Sequence, residues 1–192
     1  DEAAQLVELR AALDVLRDAG RITPSAFSNA EDWLASRAVN ENQRAALVSM
    51  VERNDAVGIN NGFDGSGIVQ PGTAGARSQM EVLDVRLGPN FFGGVTVARY
   101  AYALARIYRE KGMKGRILIS HEVRDNSPRY ADILAKVLVS EGVPVTRLLF
   151  IVTTPIGSFA AKYFAKQEEG IAFSIFFSAS HNPPVDNGIK FF

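Results

Sequence analysis

The sequence predicts an α/β fold: a three-layer arrangement around a mixed, mainly parallel sheet with crossover helices, preceded by an N-terminal helical segment. From residue 93 onward, helical patterns alternate with short apolar runs, which favours parallel strands joined by right-handed crossovers. The first 56 residues carry only helical periodicity. Of 192 residues, 47% are hydrophobic and 22% charged, the balance of a globular protein that buries a core without disulfides.

Three helices are predicted within residues 1–56. Gly20 ends the first helix, Thr23 with Pro24 opens the second, and Asn40 caps the third. Leucines recur at three- and four-residue spacing in the first helix: Leu6, Leu9, Leu13 and Leu16. The later helices supply further expected core residues: Phe27, Trp33, Leu34, Ala46, Leu47, Met50 and Val51.

A glycine-rich stretch, residues 58–75, is expected to separate this helical part from an α/β body. We therefore predict a helical extension over residues 1–56 and an α/β domain over residues 57–192. Two alternating apolar runs, 67–70 and 80–86, predict a hairpin-like pair of strands.

The body is predicted to alternate three helices with three strands. The helices are expected at 95–111, 127–141 and 154–167, and the strands at 116–120, 143–152 and 171–177. Ligands of such sheets meet the loops at the carboxyl ends of the strands. The loops after these strands are therefore where functional residues are expected.

Composition and charge exclude several classes of function. There is no cysteine, which excludes disulfides, thiolate metal sites and cysteine nucleophiles. Lysine and arginine total 21 and so do aspartate and glutamate, so the basic excess typical of nucleic-acid binding is missing. No apolar run reaches the ~20 residues of a membrane span, and the N-terminal Asp-Glu-Ala-Ala lacks the basic region and apolar core typical of a secretion signal. We expect a cytoplasmic protein, and a piece of a longer one, since the chain starts at Asp1 and stops in an apolar run at Phe192.

The loop after the third predicted strand contains several side chains that can take part in catalysis or binding. Residues 178–184 read Ser-Ala-Ser-His-Asn-Pro-Pro, which places a hydroxyl, an imidazole and an amide at the end of the sheet. Serine, asparagine and proline also favour ordinary turns. Taken alone, this loop leaves the structural and the functional interpretation open.

Together with Asn-Gly-Ile-Lys at 187–190, this loop resembles the signature of the α-D-phosphohexomutases, the phosphoglucomutase and phosphomannomutase family. Family members typically read Thr-Ala-Ser-His-Asn-Pro, then Tyr-Asn-Gly and a lysine. Ser178 stands in place of the threonine and Asp186 in place of the tyrosine. The spacing from Ser180 to Lys190 matches.

Further matches lie upstream in family order. Residues 72–77, Gly-Thr-Ala-Gly-Ala-Arg, resemble the Gly-Thr-x-Gly-x-Arg-Gly loop, with Ser78 for the final glycine. Residues 119–124, Ile-Ser-His-Glu-Val-Arg, partly match Ile-Gly-x-Asp-x-Arg. We expect Glu122 and Arg124 to form a structural ion pair, with direct catalysis as the alternative, and His121 to be a strand-end residue. The resemblance covers the α/β body and leaves the first 56 residues unmatched.

The resemblance implies an isomerase that moves phosphate between positions of a sugar through a phosphoserine and a sugar bisphosphate. Ser180 matches the phosphoserine, and Lys190 and Arg77 match its cationic partners, while His181 is expected to support the phosphate. Thr73, Asn182 and Arg77 are expected to bind phosphate. Mg²⁺ is expected to contact the phosphate on Ser180, its aspartate loop belonging to a second domain that this sequence lacks.

The implied partners are a phosphorylated sugar and the remaining domains of the same polypeptide. We therefore expect that residues 1–192 alone do not catalyse the full reaction. One alternative is a non-catalytic sugar-phosphate-binding or regulatory module. A nucleotide-binding α/β domain is disfavoured, because neither a Gly-x-Gly-x-x-Gly turn nor a Walker-type loop occurs.

Overall fold

The structure is a computed structural model that describes residues 2–65, 69, 71–72, 75–83, 85–166 and 170–192. The chain forms two compact units. Unit 1 comprises Asp1–Gln70 with Met80–Val95, and unit 2 comprises Pro71–Gln79 with Thr96–Phe192. The helical part therefore extends beyond residue 56, where the sequence placed the boundary, and a second segment joins it.

The described residues of unit 1 form four helices: α1 (Glu2–Asp18), α2 (Pro24–Ala35), α3 (Glu41–Glu52) and α4 (Ala56–Phe63). Both predicted caps are confirmed. The Thr23 hydroxyl accepts a hydrogen bond from the Ala26 amide at 3.0 Å, and Asn40 forms a reciprocal capping box with Gln43. The core residues predicted for α2 and α3 are all buried, and Trp33 packs edge-on against Phe63 at 5.6 Å.

The glycine-rich stretch differs from its prediction, because α4 occupies its first part. Asp55 caps α4 by accepting from the Gly58 amide at 2.9 Å, and at Gly62 a side chain would overlap the Leu87 carbonyl. The predicted strand at 80–86 is wrong: Met80 bridges to Phe92, and a tight turn closes between Val82 and Arg86. Most of its predicted partner, 67–70, lies outside the described residues.

Unit 2 contains a six-stranded sheet: β1 (Pro71–Gly72), β2 (Gly75–Gln79), β3 (Arg116–His121), β4 (Val145–Arg147), β5 (Ile171–Phe177) and β6 (Asp186–Phe191). Its helices are α5 (Gly94–Glu110, from Thr96 onward), α6 (Ser127–Ser140) and α7 (Thr154–Phe164). The strand order is β1-β2-β6-β5-β3-β4. Strands β4, β3 and β5 are parallel, as the helix–strand alternation predicts.

The other pairings, β1 with β2, β2 with β6 and β5 with β6, are antiparallel. Parallel pairing is thus confined to the part of the sheet that has crossover helices, because the short connection from β5 to β6 cannot make a parallel crossover. The strand predicted over 143–152 is reduced to Val145–Arg147. Beyond it Leu149, Phe150 and Ile151 are exposed, so apolar character there does not reflect burial in the sheet.

Helices cover both faces of the sheet and give the predicted three layers. On one face, Tyr130 of α6 lies 6.2 Å from Phe177 and Tyr100 of α5 lies 6.0 Å from Phe191. On the other face, Gly157 of α7 lies against Phe176. Since side chains alternate along a strand and Phe176 is paired with Lys190, Lys190 shares the α7 face. No helix in the described part of the chain is both long and apolar enough to cross a membrane.

Candidate active site

The candidate site begins where β5 ends, in a loop tied down by its own polar groups. The Ser178 amide donates to the Gly188 carbonyl at 3.0 Å. The fully buried Ser178 hydroxyl accepts from the Ser180 amide at 2.9 Å. Within the loop, the Asn182 amide donates to the Ala179 carbonyl at 3.1 Å. The loop therefore has a fixed turn geometry at Ser180.

Ser180 lies at the tip of this turn in the left-handed region, with φ of 56°. Only a few per cent of residues other than glycine adopt positive φ, and such residues often mark functional sites. Ser180 and its neighbour His181 are exposed, whereas Ser178 and Ala179 are buried. The turn thus presents Ser180, rather than Ser178, to solvent.

Arg124 holds this loop from the neighbouring β3–α6 connection. Its Nε donates to the Glu122 carboxylate at 2.8 Å, which confirms the predicted ion pair. Its terminal nitrogens donate at 2.7–3.0 Å to four backbone carbonyls of the loop: those of Ser180, Asn182, Pro183 and Asp186. The sequence predicted only the ion pair, because nothing in a local motif indicates contacts with residues about sixty positions away.

Asn187 joins the same two loops from inside the protein. Its side-chain amide donates at 2.9 Å to the Asp125 carbonyl and to the Ser127 hydroxyl, and its oxygen accepts from the Gly188 amide at 2.8 Å. Asn187 and Ser127 are fully buried. Buried hydrogen bonds of this kind are costly to leave unmade, so Asn187 fixes the start of β6 beside the Arg124 connection.

We expect Asn187→Ala to lower the free energy of unfolding of unit 2 by about 2–3 kcal/mol, because it leaves buried polar partners unsatisfied. Urea unfolding measures this change. Ser127→Ala and the double variant complete a thermodynamic cycle, in which the two losses should be clearly less than additive. Additive losses would contradict a shared hydrogen bond.

Lys190 and Arg77 reach the site from adjacent strands. Arg77 of β2 is paired with Gly188 of β6, and a side chain at Gly188 would come within 2.9 Å of the Arg77 Cγ. Partial burial and, second, the positive charge of Arg77 lower the pKa of Lys190 below its usual 10.5. Arg124 lowers the pKa of Lys190 further, and Glu122 opposes this change. The charges of Arg77, Arg124 and Glu122 therefore all act on the Lys190 ammonium group.

A depression of about 400 Å³ opens beside this loop. Its lining includes Glu122, Arg124, Asp125, Ser180, Asn182 and Pro184. The Asn182 amide group donates to the Asp186 carboxylate at 2.9 Å. Ser180 therefore belongs to the lining of an open depression that small molecules in solution can reach.

The structure brings together Ser180, His181 and Asn182 on one loop, with Lys190 and Arg77 on the strands beside it. Thr73, the remaining predicted phosphate ligand, lies outside the described residues. His121 is the last residue of β3, as predicted, and is buried with its Nδ1 3.2 Å from the Glu122 carbonyl. The sequence missed Asn187 as a positioning group, although it stands inside the quoted motif.

The described residues contain no group of three or more His, Asp or Glu side chains that could hold a metal ion. Ser180 would supply a magnesium ligand only through a phosphate. The described part of the chain therefore does not form a complete metal site.

Known proteins are similar to this chain in sequence and in fold. A phosphoglucomutase from Staphylococcus haemolyticus is 34% identical over 119 residues, which is 62% of this chain and 20% of that protein. A phosphoglucosamine mutase from Hahella chejuensis is 33% identical over 94 residues, covering 49% of this chain and 20% of the relative. The chain thus spans about a fifth of the length of these curated relatives.

A solved structure from Thermus thermophilus, named as a phosphomannomutase, matches with a TM-score of 0.54 and 30% identity, over 65% of this chain and 25% of its own. The family model described as phosphoglucomutase/phosphomannomutase, alpha/beta/alpha domain I, matches residues 69–192. That range holds β1 to β6, the Ser180 loop and its cations. The chain therefore belongs to the phosphoglucomutase/phosphomannomutase family, of which it carries the α/β/α domain I.

Proposed function

We propose that this chain is the phosphoserine-bearing domain of an α-D-phosphohexomutase, an isomerase that moves phosphate between positions of a sugar. The observation that carries the proposal is that the exposed Ser180 lies on a fixed turn next to β6 and β2, whose Lys190 and Arg77 are close enough to repel each other. A phosphoserine has about −1.5 to −2 charge at neutral pH. Such a charge would compensate the mutual repulsion of these cations.

The residues suit phosphoryl transfer, which needs positioning and charge neutralisation more than covalent help. In the proposed step, a sugar hydroxyl oxygen bonds to the phosphorus as the bond from phosphorus to the Ser180 oxygen breaks. The proton of the sugar hydroxyl moves to a base, and the serine oxygen regains a proton. Lys190 suits this exchange because its lowered pKa makes the neutral amine more accessible. Arg77 offers two parallel donors to phosphate oxygens.

The relatives' names indicate the substrate class. They are phosphoglucomutases and phosphoglucosamine mutases, so we propose a hexose phosphate as substrate and a hexose bisphosphate as intermediate. Thr73, His181 and Asn182 are proposed to orient phosphate. Mg²⁺ is proposed to bind the phosphate on Ser180 with ligands from other domains of the same polypeptide, which would also read the sugar.

The proposal is tested by incubating the polypeptide that contains this chain and its remaining domains with glucose 1,6-bisphosphate and Mg²⁺, and measuring its intact mass. We expect addition of one phosphoryl group, mapped to Ser180 by peptide analysis. Ser180→Ala should remove the label entirely. Ser140→Ala is the matched control, since Ser140 is an exposed serine at the end of α6, and it should be labelled like the wild type.

Two outcomes separate the alternatives. Non-covalent binding of the bisphosphate with no covalent phosphate on any serine would favour a sugar-phosphate-binding or regulatory module and contradict the proposal. Conversion of glucose 1-phosphate to glucose 6-phosphate is expected of the polypeptide with all its domains and not of residues 1–192 alone. Sustained conversion by this chain alone would contradict the need for further domains.

A further inference from the structure

We infer that Arg124 is a positioning residue: it holds the Ser180 loop in shape for phosphoryl transfer without itself binding the phosphate. This inference rests on the proposed role of Ser180. Its basis is the set of contacts around one guanidinium group, which lies beside Ser180 and carries a charge that phosphate would attract. The contacts indicate that this charge serves the loop.

A guanidinium group has five N–H donors and no acceptor. In Arg124, Nε donates to Glu122, one terminal nitrogen donates to the Pro183 and Asp186 carbonyls, and the other to those of Ser180 and Asn182. The donors and the acceptors are equal in number. Arg124 therefore has no donor left for a phosphate oxygen unless it releases part of the loop.

The loop needs such a partner because of its own geometry. Four carbonyl oxygens converge on one point, where they would repel one another without a cation between them. Ser180 also holds a φ of 56°, a conformation that persists for non-glycine residues only when the surroundings enforce it. Arg124 bonds the Ser180 carbonyl at 2.7 Å and so fixes the peptide group that follows the reacting side chain.

Arg124 is also poorly placed to move toward a ligand. Its side chain is only 12% exposed, and the loop and Glu122 enclose its planar group. Lysine cannot replace the planar guanidinium group, because its three donors all lie on a single ammonium nitrogen. Arg124→Lys therefore keeps the positive charge and removes the planar arrangement of donors, so its effects report on that arrangement alone.

The test compares Arg124→Lys with Arg147→Lys. Arg147 is a similarly covered arginine on β4 that contacts Asp132 and the Pro128 carbonyl, away from the Ser180 loop. Backbone hydrogen exchange reports the loop directly through the Asn182 and Asp186 amides, which donate within it. We expect Arg124→Lys to speed exchange of these amides about tenfold or more. Arg147→Lys should leave them unchanged.

Phosphorylation kinetics provide the second measurement. Arg124→Lys should lower the maximal rate of Ser180 labelling by glucose 1,6-bisphosphate about tenfold or more, because the serine is less well positioned. The half-saturating concentration should stay near the wild-type value, since no donor to phosphate is lost. A large rise in that concentration with normal loop exchange would overturn the inference in favour of direct phosphate binding.

A measurement on the wild-type protein keeps the inference testable if Arg124→Lys fails to fold. With every donor engaged, the Arg124 guanidinium should rotate slowly and give separate resonances for its terminal nitrogens in arginine-labelled NMR. These resonances should be the same before and after phosphorylation of Ser180. A single averaged resonance, or a large shift on phosphorylation, would overturn the inference.

The two proposals fail in different ways. If Ser180 of the wild type is never labelled while the exchange and NMR results hold, the phosphoserine function is wrong and the positioning role of Arg124 stands. If Ser180 is labelled and Arg124→Lys changes neither loop exchange nor labelling rate, the positioning role is wrong and the function stands.

Discussion

Gly75→Ala is expected to destabilise unit 2 by about 2–4 kcal/mol, one of the larger effects for a single methyl group. Gly75 has φ of +101°, and a Cβ there would overlap the Ile189 carbonyl oxygen and lie 3.0 Å from the Lys190 Cα. The clash is with backbone, which cannot rotate away. The variant must separate β2 from β6, the two strands that carry Arg77 and Lys190.

Gly112→Ala is the matched control for this prediction. Gly112 also has positive φ, +57°, but nothing lies within 4 Å of an added Cβ. Gly112→Ala should therefore lower the free energy of unfolding only through its unfavourable backbone conformation, by about 1–2 kcal/mol. Thermal unfolding and hydrogen exchange of the β6 amides measure both variants. Equal losses, with β6 exchange unaffected by Gly75→Ala, would show that close approach of the strands is unimportant.

Lys190→Gln is expected to slow labelling of Ser180 by glucose 1,6-bisphosphate about 10²–10⁴-fold, the usual range when a proton-transferring group is lost. Lys162→Gln, which changes an exposed lysine on α7, should leave the rate unchanged. Labelling rates measured at saturating bisphosphate test this directly. A change of less than about threefold in Lys190→Gln, far below that range, would remove Lys190 from the proposed mechanism.

The same variant should be more thermally stable than the wild type at neutral pH. Partial burial and Arg77 lower the pKa of Lys190 in the folded protein, so its charged form is disfavoured by folding. This penalty is fully present below the folded pKa and disappears as the pH rises toward the unfolded value of 10.5. The gain in Tm of Lys190→Gln over Lys162→Gln should shrink accordingly with rising pH. A loss of Tm at neutral pH would contradict the lowered pKa.

Local signals made most of the helices predictable. Thr23 and Asn40 are side chains whose capping chemistry acts within three residues, so each fixes a helix start without knowledge of the fold. Strand β5 was likewise predicted at its observed bounds, because it is a short apolar run buried in the sheet. A sequence pattern predicts an element correctly where the apolar residues of the pattern are the residues that the fold buries.

The predictions failed where apolar residues are not buried in the sheet, and where glycines lie in a helix and not in a loop. Phe150 and Ile151 follow the edge strand β4 and are exposed, so an apolar run there mimicked a longer strand. Gly58 and Gly62 indicate a loop by composition, yet they lie in α4, where the backbone of residue 87 leaves no room for a larger side chain at Gly62. Neither fact is encoded locally.

The candidate site also has residues that the sequence predicted and contacts that it did not. The sequence predicted Ser180, Lys190 and Arg77 as site residues through motifs. The structure pairs β6, which carries Lys190, with β2, which carries Arg77, and with β5, which leads into the Ser180 loop. The sequence did not predict that Arg124 holds four carbonyls of the Ser180 loop, because those partners are 56 to 62 positions away. Positioning contacts of this kind depend on the order of β3, β5 and β6 in the sheet.

The most direct test of the central claim is a phosphosite map of the protein isolated from its own source, by peptide mass spectrometry before and after phosphatase treatment. We predict one phosphoryl group on Ser180 and none on the neighbouring Ser178, whose hydroxyl is buried and accepts the Ser180 amide. Phosphate on Ser180 would establish the phosphoserine. An unmodified Ser180 that also stays unmodified after incubation with glucose 1,6-bisphosphate and Mg²⁺ would contradict it.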